Sequence, residues 1–365
     1  KGSNQMDRNF EDFNTLNEKI YNGARLVGVK QYYRQHRKGI HDKIENKLLP
    51  KNYQYPVGVQ FELTYACNQK CIHCYNQSGG KHAEKEMSLD EWKKLAHRVG
   101  EMGVFQCIIS GGEPTLLKEG LFEILDILDS YGIEIVLISN GFDLTADYVK
   151  RLKKYTYNWF QISIDGSRPD VHDFIRGTPS WKNAIKAANY VKQAGIPLVI
   201  SHAITKTNHE YIDEMVEMAY LIGAKRIITG PFTYAGRAVV NIDEIELSKD
   251  EKKSIYEYLH KLRKQYHGRI EVAIAMEEPL GLRIKQCDIN GGFLIRPNGD
   301  VKIDCMAPFI IGNVLEQDIY SIWNDIGRDV WEHRRVLDYI EAIHSAEDLL
   351  SVYPRINVDY DEWLV

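Results

Sequence analysis

Cys67, Cys71 and Cys74 fall within eight residues, in the run Tyr65-Ala66-Cys67-Asn68-Gln69-Lys70-Cys71-Ile72-His73-Cys74-Tyr75-Asn76. Three thiolates on so short a loop can hold three corners of a cubic four-iron cluster and leave the fourth iron open to a small ligand. The same spacing admits a zinc site, with His73 or a distant cysteine as fourth ligand. Structural zinc usually draws on two separated pairs, and no second such pair exists here. Cys107, Cys287 and Cys305 stand far apart. A disulfide framework belongs to smaller secreted chains, so these crowded cysteines point to metal or redox chemistry in a reducing compartment.

Other short polar stretches carry the same suggestion of a ligand site. In Ser110-Gly111-Gly112-Glu113-Pro114, two glycines let the backbone approach a ligand closely, and a carboxylate beside them can accept from an ammonium group. Ser139-Asn140-Gly141 and Ser163-Ile164-Asp165-Gly166 offer small hydrogen-bonding side chains followed by a turn residue. A turn role alone is the competing reading for Asn140 and Asp165. His172-Asp173-Phe174-Ile175-Arg176-Gly177 and Pro231 through Gly236-Arg237-Ala238 add two basic residues.

The elements that must position these residues alternate β and α. Strands are expected at Val57–Thr64, Phe105–Ser110, Ile133–Ser139, Trp159–Ile164, Leu198–Ile204 and Arg226–Thr229. Helices are expected at Ser88–Met102, with Ser88 and Glu91 as a capping box, then near Leu116–Tyr131, Thr145–Tyr155, Trp181–Ala194 and Tyr211–Ile222. Six β-then-α units imply a parallel sheet with helices outside it, curled by right-handed crossovers into a partial barrel. Its site belongs at the C-terminal strand ends, where the stretches above fall.

The balance of 46 basic and 51 acidic residues, a formal charge of −5, gives no support for general nucleic-acid or membrane binding. No apolar run approaches the ~20 residues needed to span a bilayer, so a cytoplasmic protein is expected. Domains are expected at 1–56 (a helical preamble), 57–240 (the partial barrel), 241–345 (a smaller α+β extension) and 346–365 (a tail). Between Arg25 and Lys51 eight basic residues face only Asp42 and Glu45, which reads as a solvated helix face. In the extension a helix is expected over Leu247–Tyr266 and a strand over Ile270–Ala275. A hairpin is expected at Phe293–Asp304, turning at Asn298-Gly299, with helical sequence at Ile319–Ile326 and Val330–His344.

The cysteine loop and its companions, from about residue 57 to 240, resemble the radical S-adenosylmethionine (SAM) superfamily. The resemblance implies a 4Fe-4S cluster on Cys67, Cys71 and Cys74. SAM would chelate its open iron and be cleaved reductively to a 5′-deoxyadenosyl radical that abstracts a substrate hydrogen. It further implies that Gly111, Gly112 and Glu113 bind the SAM amino group, and that Asn140, Ser163 and Asp165 bind ribose or carboxylate. Arg176 would pair with the SAM carboxylate, a surface ion pair being the other reading, and Arg237 would help hold the nucleoside.

Cys287, Gly291-Gly292, the hairpin and Cys305 resemble the SPASM or twitch extension of peptide-modifying members, which holds an auxiliary iron–sulfur cluster. Here no cysteine follows Cys305, so two thiolates would need help from Asp288, Asp304 or His333, or stand as an inert pair. The substrate implied is a ribosomally made peptide, cross-linked or epimerised, with a low-potential flavodoxin or ferredoxin as electron donor. A sugar or amino-acid substrate is the alternative, and a non-catalytic zinc or iron–sulfur protein is the reading from another class. Sequence identifies no catalytic acid, base or hydrogen donor.

Overall fold

The computed structural model of the chain describes residues 54–80, 85–275, 291–344, 348 and 362–364. Outside them lie all but the last three residues of the expected N-terminal helical segment, Cys287 with Asp288, and most of the expected tail.

The first strand-helix alternation is β1 (Gly58–Glu62), α1 (Leu89–Glu101), β2 (Gln106–Ser110), α2 (Glu119–Ser130), β3 (Glu134–Ser139) and α3 (Ala146–Leu152). It continues through β4 (Tyr157–Ser163), α4 (Pro169–Arg176), α5 (Trp181–Gln193), β5 (Leu198–Ile204), α6 (Ile212–Ile222) and β6 (Arg226–Pro231). β1 to β6 lie side by side in chain order, every pair parallel, as the six-unit expectation required. Alternate residues such as Phe61, Ile109, Leu137, Phe160 and Ile200 are buried in the main apolar core. Helices cover that core with their own apolar stripes, Trp92, Leu95 and Val99 on α1 and Leu121, Leu125 and Leu128 on α2.

Local chemistry sets the element ends. Ser88 and Glu91 form the expected capping box at the start of α1. The single helix expected near Leu116–Tyr131 is broken instead. Pro114–Leu117 makes a short 3₁₀ turn, capped by the Glu113 carboxylate on Thr115 N, and Lys118 at φ +50° separates it from α2. The His172-to-Gly177 stretch closes the short helix α4, which ends on Gly177 at φ +66°.

The sheet runs past the boundary expected at residue 240. After α7 (Lys249–Gln265), β7 (Glu271–Ile274) pairs parallel with β6. On the opposite edge β8 (Gly292–Ile295) pairs parallel with β1. The approach there is close enough that a Cβ on Gly292 would overlap the Gly58 carbonyl. β9 (Asp300–Lys302) returns antiparallel through the Asn298-Gly299 turn, and β10 (Phe309–Asn313) and β11 (Glu362–Trp363) complete the eleven-stranded order.

Against this end pack α8 (Ile319–Asp325) and α9 (Arg334–Glu341), the latter preceded by a 3₁₀ turn over Gly327–Glu332 that takes up the first residues of the helix expected at Val330–His344. Trp323, fully buried, lies against Phe293 with ring centroids 5.7 Å apart and donates its indole N–H to Gln54 O at 3.1 Å. The extension is thus fused to the sheet through β8.

Candidate active site

β1 ends in Glu62, only 1% exposed, whose carboxylate accepts from Tyr75 Oη at 2.7 Å and Asn76 Nδ2 at 3.2 Å. These bonds tie the far end of the cysteine loop back to the strand that launches it. On the next strand Gly111, at φ +132°, and Gly112 pass directly under the loop. A Cβ on Gly112 would overlap the Ala66 carbonyl. Gly112 N donates to Thr64 O at 2.6 Å and Glu113 N to Ala66 O at 2.9 Å. From the other side, the end of α4 receives Lys70 N and Ile72 N on the carbonyls of Arg176 and Ile175. Arg237 Nε donates to Cys71 O and Asn241 Nδ2 to Ile72 O, both at 2.9 Å. The loop is held from three sides by residues far away in sequence.

Cys67, Cys71 and Cys74 line one cavity of ≈ 510 Å³. All eight residues expected to bind the cofactor, Gly111, Gly112, Glu113, Asn140, Ser163, Asp165, Arg176 and Arg237, line the same cavity. Its wall draws on strands from β1 (Gln60) to the end of β7 (Ala275), so the sheet curls around it as a partial barrel must. Cys305 lies elsewhere, half-buried against Asp304 Oδ1 at 3.7 Å, on a separate cavity of ≈ 260 Å³ that shares Gln60 with the first.

Several of these side chains are committed to one another. The Glu113 carboxylate accepts four bonds, from Thr115 N (3.1 Å), Thr115 Oγ1 (2.6 Å), Ser139 Oγ (2.9 Å) and Asn140 N (2.8 Å). It therefore braces the ends of β2 and β3. Asn140 Nδ2 donates to Asn68 Oδ1 at 2.8 Å and approaches Cys67 Sγ at 3.8 Å. Asp165, fully buried, meets Arg176 Nε at 2.7 Å, His73 Nε2 at 2.8 Å and Ala203 N at 2.8 Å. Burial alone would raise its pKa, but the Arg176 guanidinium and the hydrogen bond with His73 hold it well below the usual carboxylate range. The surface ion pair weighed for Arg176 is thus a buried one, and Arg237 grips the loop backbone.

The donor set fits an iron–sulfur cluster. Burial pushes the Cys67 thiol up to about 12 and the Cys71 thiol up as well, so both keep their protons unless a metal takes their place. Gln69 Nε2 and Ser78 Oγ, on residues 1% and 2% exposed, line this cavity without a hydrogen-bond partner among the described residues. Such donors suit cluster sulfur or a bound polar ligand. His73, the fourth ligand of the zinc reading, is turned to Asp165. Among the described residues no three His, Cys, Asp or Glu side chains converge on a single metal ion.

Residues 61–219 match the family model described as the Radical SAM superfamily. The chain carries a radical SAM domain. It is 31% identical over 205 residues to the mycofactocin maturase MftC of Mycolicibacterium smegmatis, covering 56% of this chain and 52% of that one. The chain thus spans about half the length of that relative. It is 26% identical to the PqqA peptide cyclase of Methylocella silvestris, covering 84% and 82% of the two chains. The AdoMet-dependent heme synthase of Methanosarcina barkeri is 27% identical, covering 73% and 82%. Among solved structures, Streptococcus suis SuiB bound to its precursor peptide SuiA shares the fold at a TM-score of 0.61 and 17% identity, covering 84% of this chain and 71% of that one.

The matched radical SAM segment runs from β1 into α6 and so contains the cysteine loop, Gly-Gly-Glu and Arg176. A domain of this kind implies a 4Fe-4S cluster and SAM. Reading the sequence did not single out Asn241, Glu62, His202 or Asn208. Asn208 Nδ2 bonds the Asp165 carbonyl at 2.9 Å and stands 3.2 Å from His202 Nε2. A polar residue at an otherwise apolar strand position was the only available signal for His202. Asn241 gave none.

Proposed function

We propose that this chain is a radical SAM enzyme that abstracts a hydrogen atom from a peptide substrate, with its cluster on Cys67, Cys71 and Cys74. The carrying observation is that these three thiols and all eight expected SAM-binding residues line one cavity at the strand ends. When bound, the reduced cluster supplies the electron that splits SAM into methionine and a carbon radical. The chain's own residues do the positioning. Glu113 and Gly112 fix the floor beneath Cys67, Asn140 ties that floor to Asn68, Arg237 and Asn241 hold the Cys71 segment, and Ser163 with the backbone near Gly112 remains to orient SAM. Ile138, Ile228 and Ile274 give the same cavity an apolar flank that helps exclude water.

A peptide substrate is supported by the PqqA peptide cyclase, which aligns with most of this chain, and by the shared fold of SuiB bound to a precursor peptide. A small-molecule substrate is the second reading. The AdoMet-dependent heme synthase and the short cysteine set of the extension favour it. A low-potential flavodoxin or ferredoxin would deliver the electron. For the extension, an auxiliary cluster involving Cys287 and Cys305 is the finer reading. About eight irons per chain would support it, and about four would count against it. The substrate test is anaerobic turnover with SAM, reductant and short peptides encoded beside the gene. A changed peptide mass accompanying 5′-deoxyadenosine supports the peptide reading. Intact peptides throughout would turn the assignment to small molecules.

A further inference from the structure

Arg176 ends α4 at 7% exposure, with its guanidinium between two partners. Nη1 lies 3.6 Å from Cys71 Sγ, and Nε lies 2.7 Å from Asp165 Oδ2. Asp165 is in turn fixed by His73 and by Ala203 N on β5. The carbonyl of Arg176 itself accepts from Lys70 N at 3.2 Å, and that of Ile175 from Ile72 N at 2.9 Å, so α4 brackets Cys71 in the loop. Both the backbone and the side chain of Arg176 are therefore locked onto the segment carrying this thiol. Of the three cysteines, Cys71 is the buried one. A charge placed there is poorly screened by water.

A hydrogen bond to a ligating sulfur and a permanent positive charge beside it both favour the more negative, reduced state of an iron–sulfur cluster. Arginine suits this task because it does not lose its proton and presents several donors in a fixed fork. We infer that Arg176 sets the reduction potential of the cluster through Cys71, a role separate from any grip on the SAM carboxylate. The inference rests on the proposal that Cys71 is a cluster ligand. Arg176 acts on the cofactor through that sulfur and is a positioning and tuning residue.

The test is an EPR-monitored redox titration of the anaerobically reconstituted full-length chain without SAM, comparing wild type with Arg176→Gln and Arg176→Lys. At the wild-type midpoint, R176Q should show at least a tenfold lower ratio of reduced to oxidised cluster, about 59 mV for a one-electron couple. R176K, which keeps the charge and loses the fork, should fall between the two. If R176Q does not retain its iron, R176K decides alone, and a wild-type midpoint in R176K would overturn the inference. Unchanged SAM-free midpoints combined with loss of the SAM-induced EPR change would assign Arg176 to SAM binding only and also overturn it. A wild-type chain that takes up no iron would remove the cluster reading itself, an outcome recognisable before any variant is measured.

Discussion

At the scale of single residues, Glu113 shows how a ligand-site carboxylate can serve mainly as scaffold. Its two oxygens accept four donors, two from Thr115 in the 3₁₀ turn after β2 and two from Ser139 and Asn140 at the end of β3. In Glu113→Gln one oxygen becomes an NH₂, which cannot accept, and at least one buried donor loses its partner. A loss of about 1–3 kcal/mol is expected, read as a lower denaturant midpoint at unchanged m-value. The Gly-Gly-Glu triplet was legible in the sequence because its glycines and carboxylate are chemically unusual after a strand. Its bonds to Ser139 and Asn140 were not, since these residues lie 26 and 27 positions away and only the pairing of β2 with β3 brings them beside the carboxylate. The same holds for Arg176. It could be named as a candidate, but its contact with Cys71 spans 105 positions and arises only when α4 folds against the loop.

At the scale of elements, the site depends on backbone passing under backbone. Gly112 lies so close to the loop that any side chain would displace the Ala66 carbonyl and shift Cys67 beside it. Gly112→Ala should leave the circular dichroism of the helices and sheet intact while iron retention falls about 10–100-fold, the usual cost of disturbing the groups around metal ligands. Iron titration of the two proteins checks this. Sequence pattern made the six strands readable, through short apolar runs such as Ile135-Val136-Leu137-Ile138 in β3. It misled over α2, where Pro114 and the Glu113 cap start a separate 3₁₀ turn before the helix proper. It could not assign β7 to the barrel sheet. A strand's sequence shows which residues it can bury but not which neighbour it will pair with.

At the scale of the whole molecule, two buried histidines couple stability to pH. His172 bonds Ser180 Oγ and Asp165 N, and His202 bonds Thr229 Oγ1. Burial, followed for His172 by the nearby Arg176 charge, lowers the pKa of His172 to about 4, and burial likewise lowers that of His202 to about 4. In the unfolded chain both titrate near 6.5. Between these values the unfolded chain binds more protons, so stability rises with pH. The contribution is complete above about 6.5 and is lost progressively as pH falls toward 4. Melting temperature should therefore drop across that window, and His202→Gln should flatten the slope. An unaltered slope in that variant would place the acid sensitivity elsewhere.

The extension joins the barrel edge through β8 and Trp323, so the two parts meet in one continuous sheet. The central claim remains that the three thiols at the mouth of β1 hold a cluster able to split SAM. Its most direct test is formation of 5′-deoxyadenosine by the anaerobically reconstituted chain with SAM and dithionite, compared with Cys71→Ala. The account predicts nucleoside release by the wild type and none above background in the variant. Equal release by both proteins would contradict it.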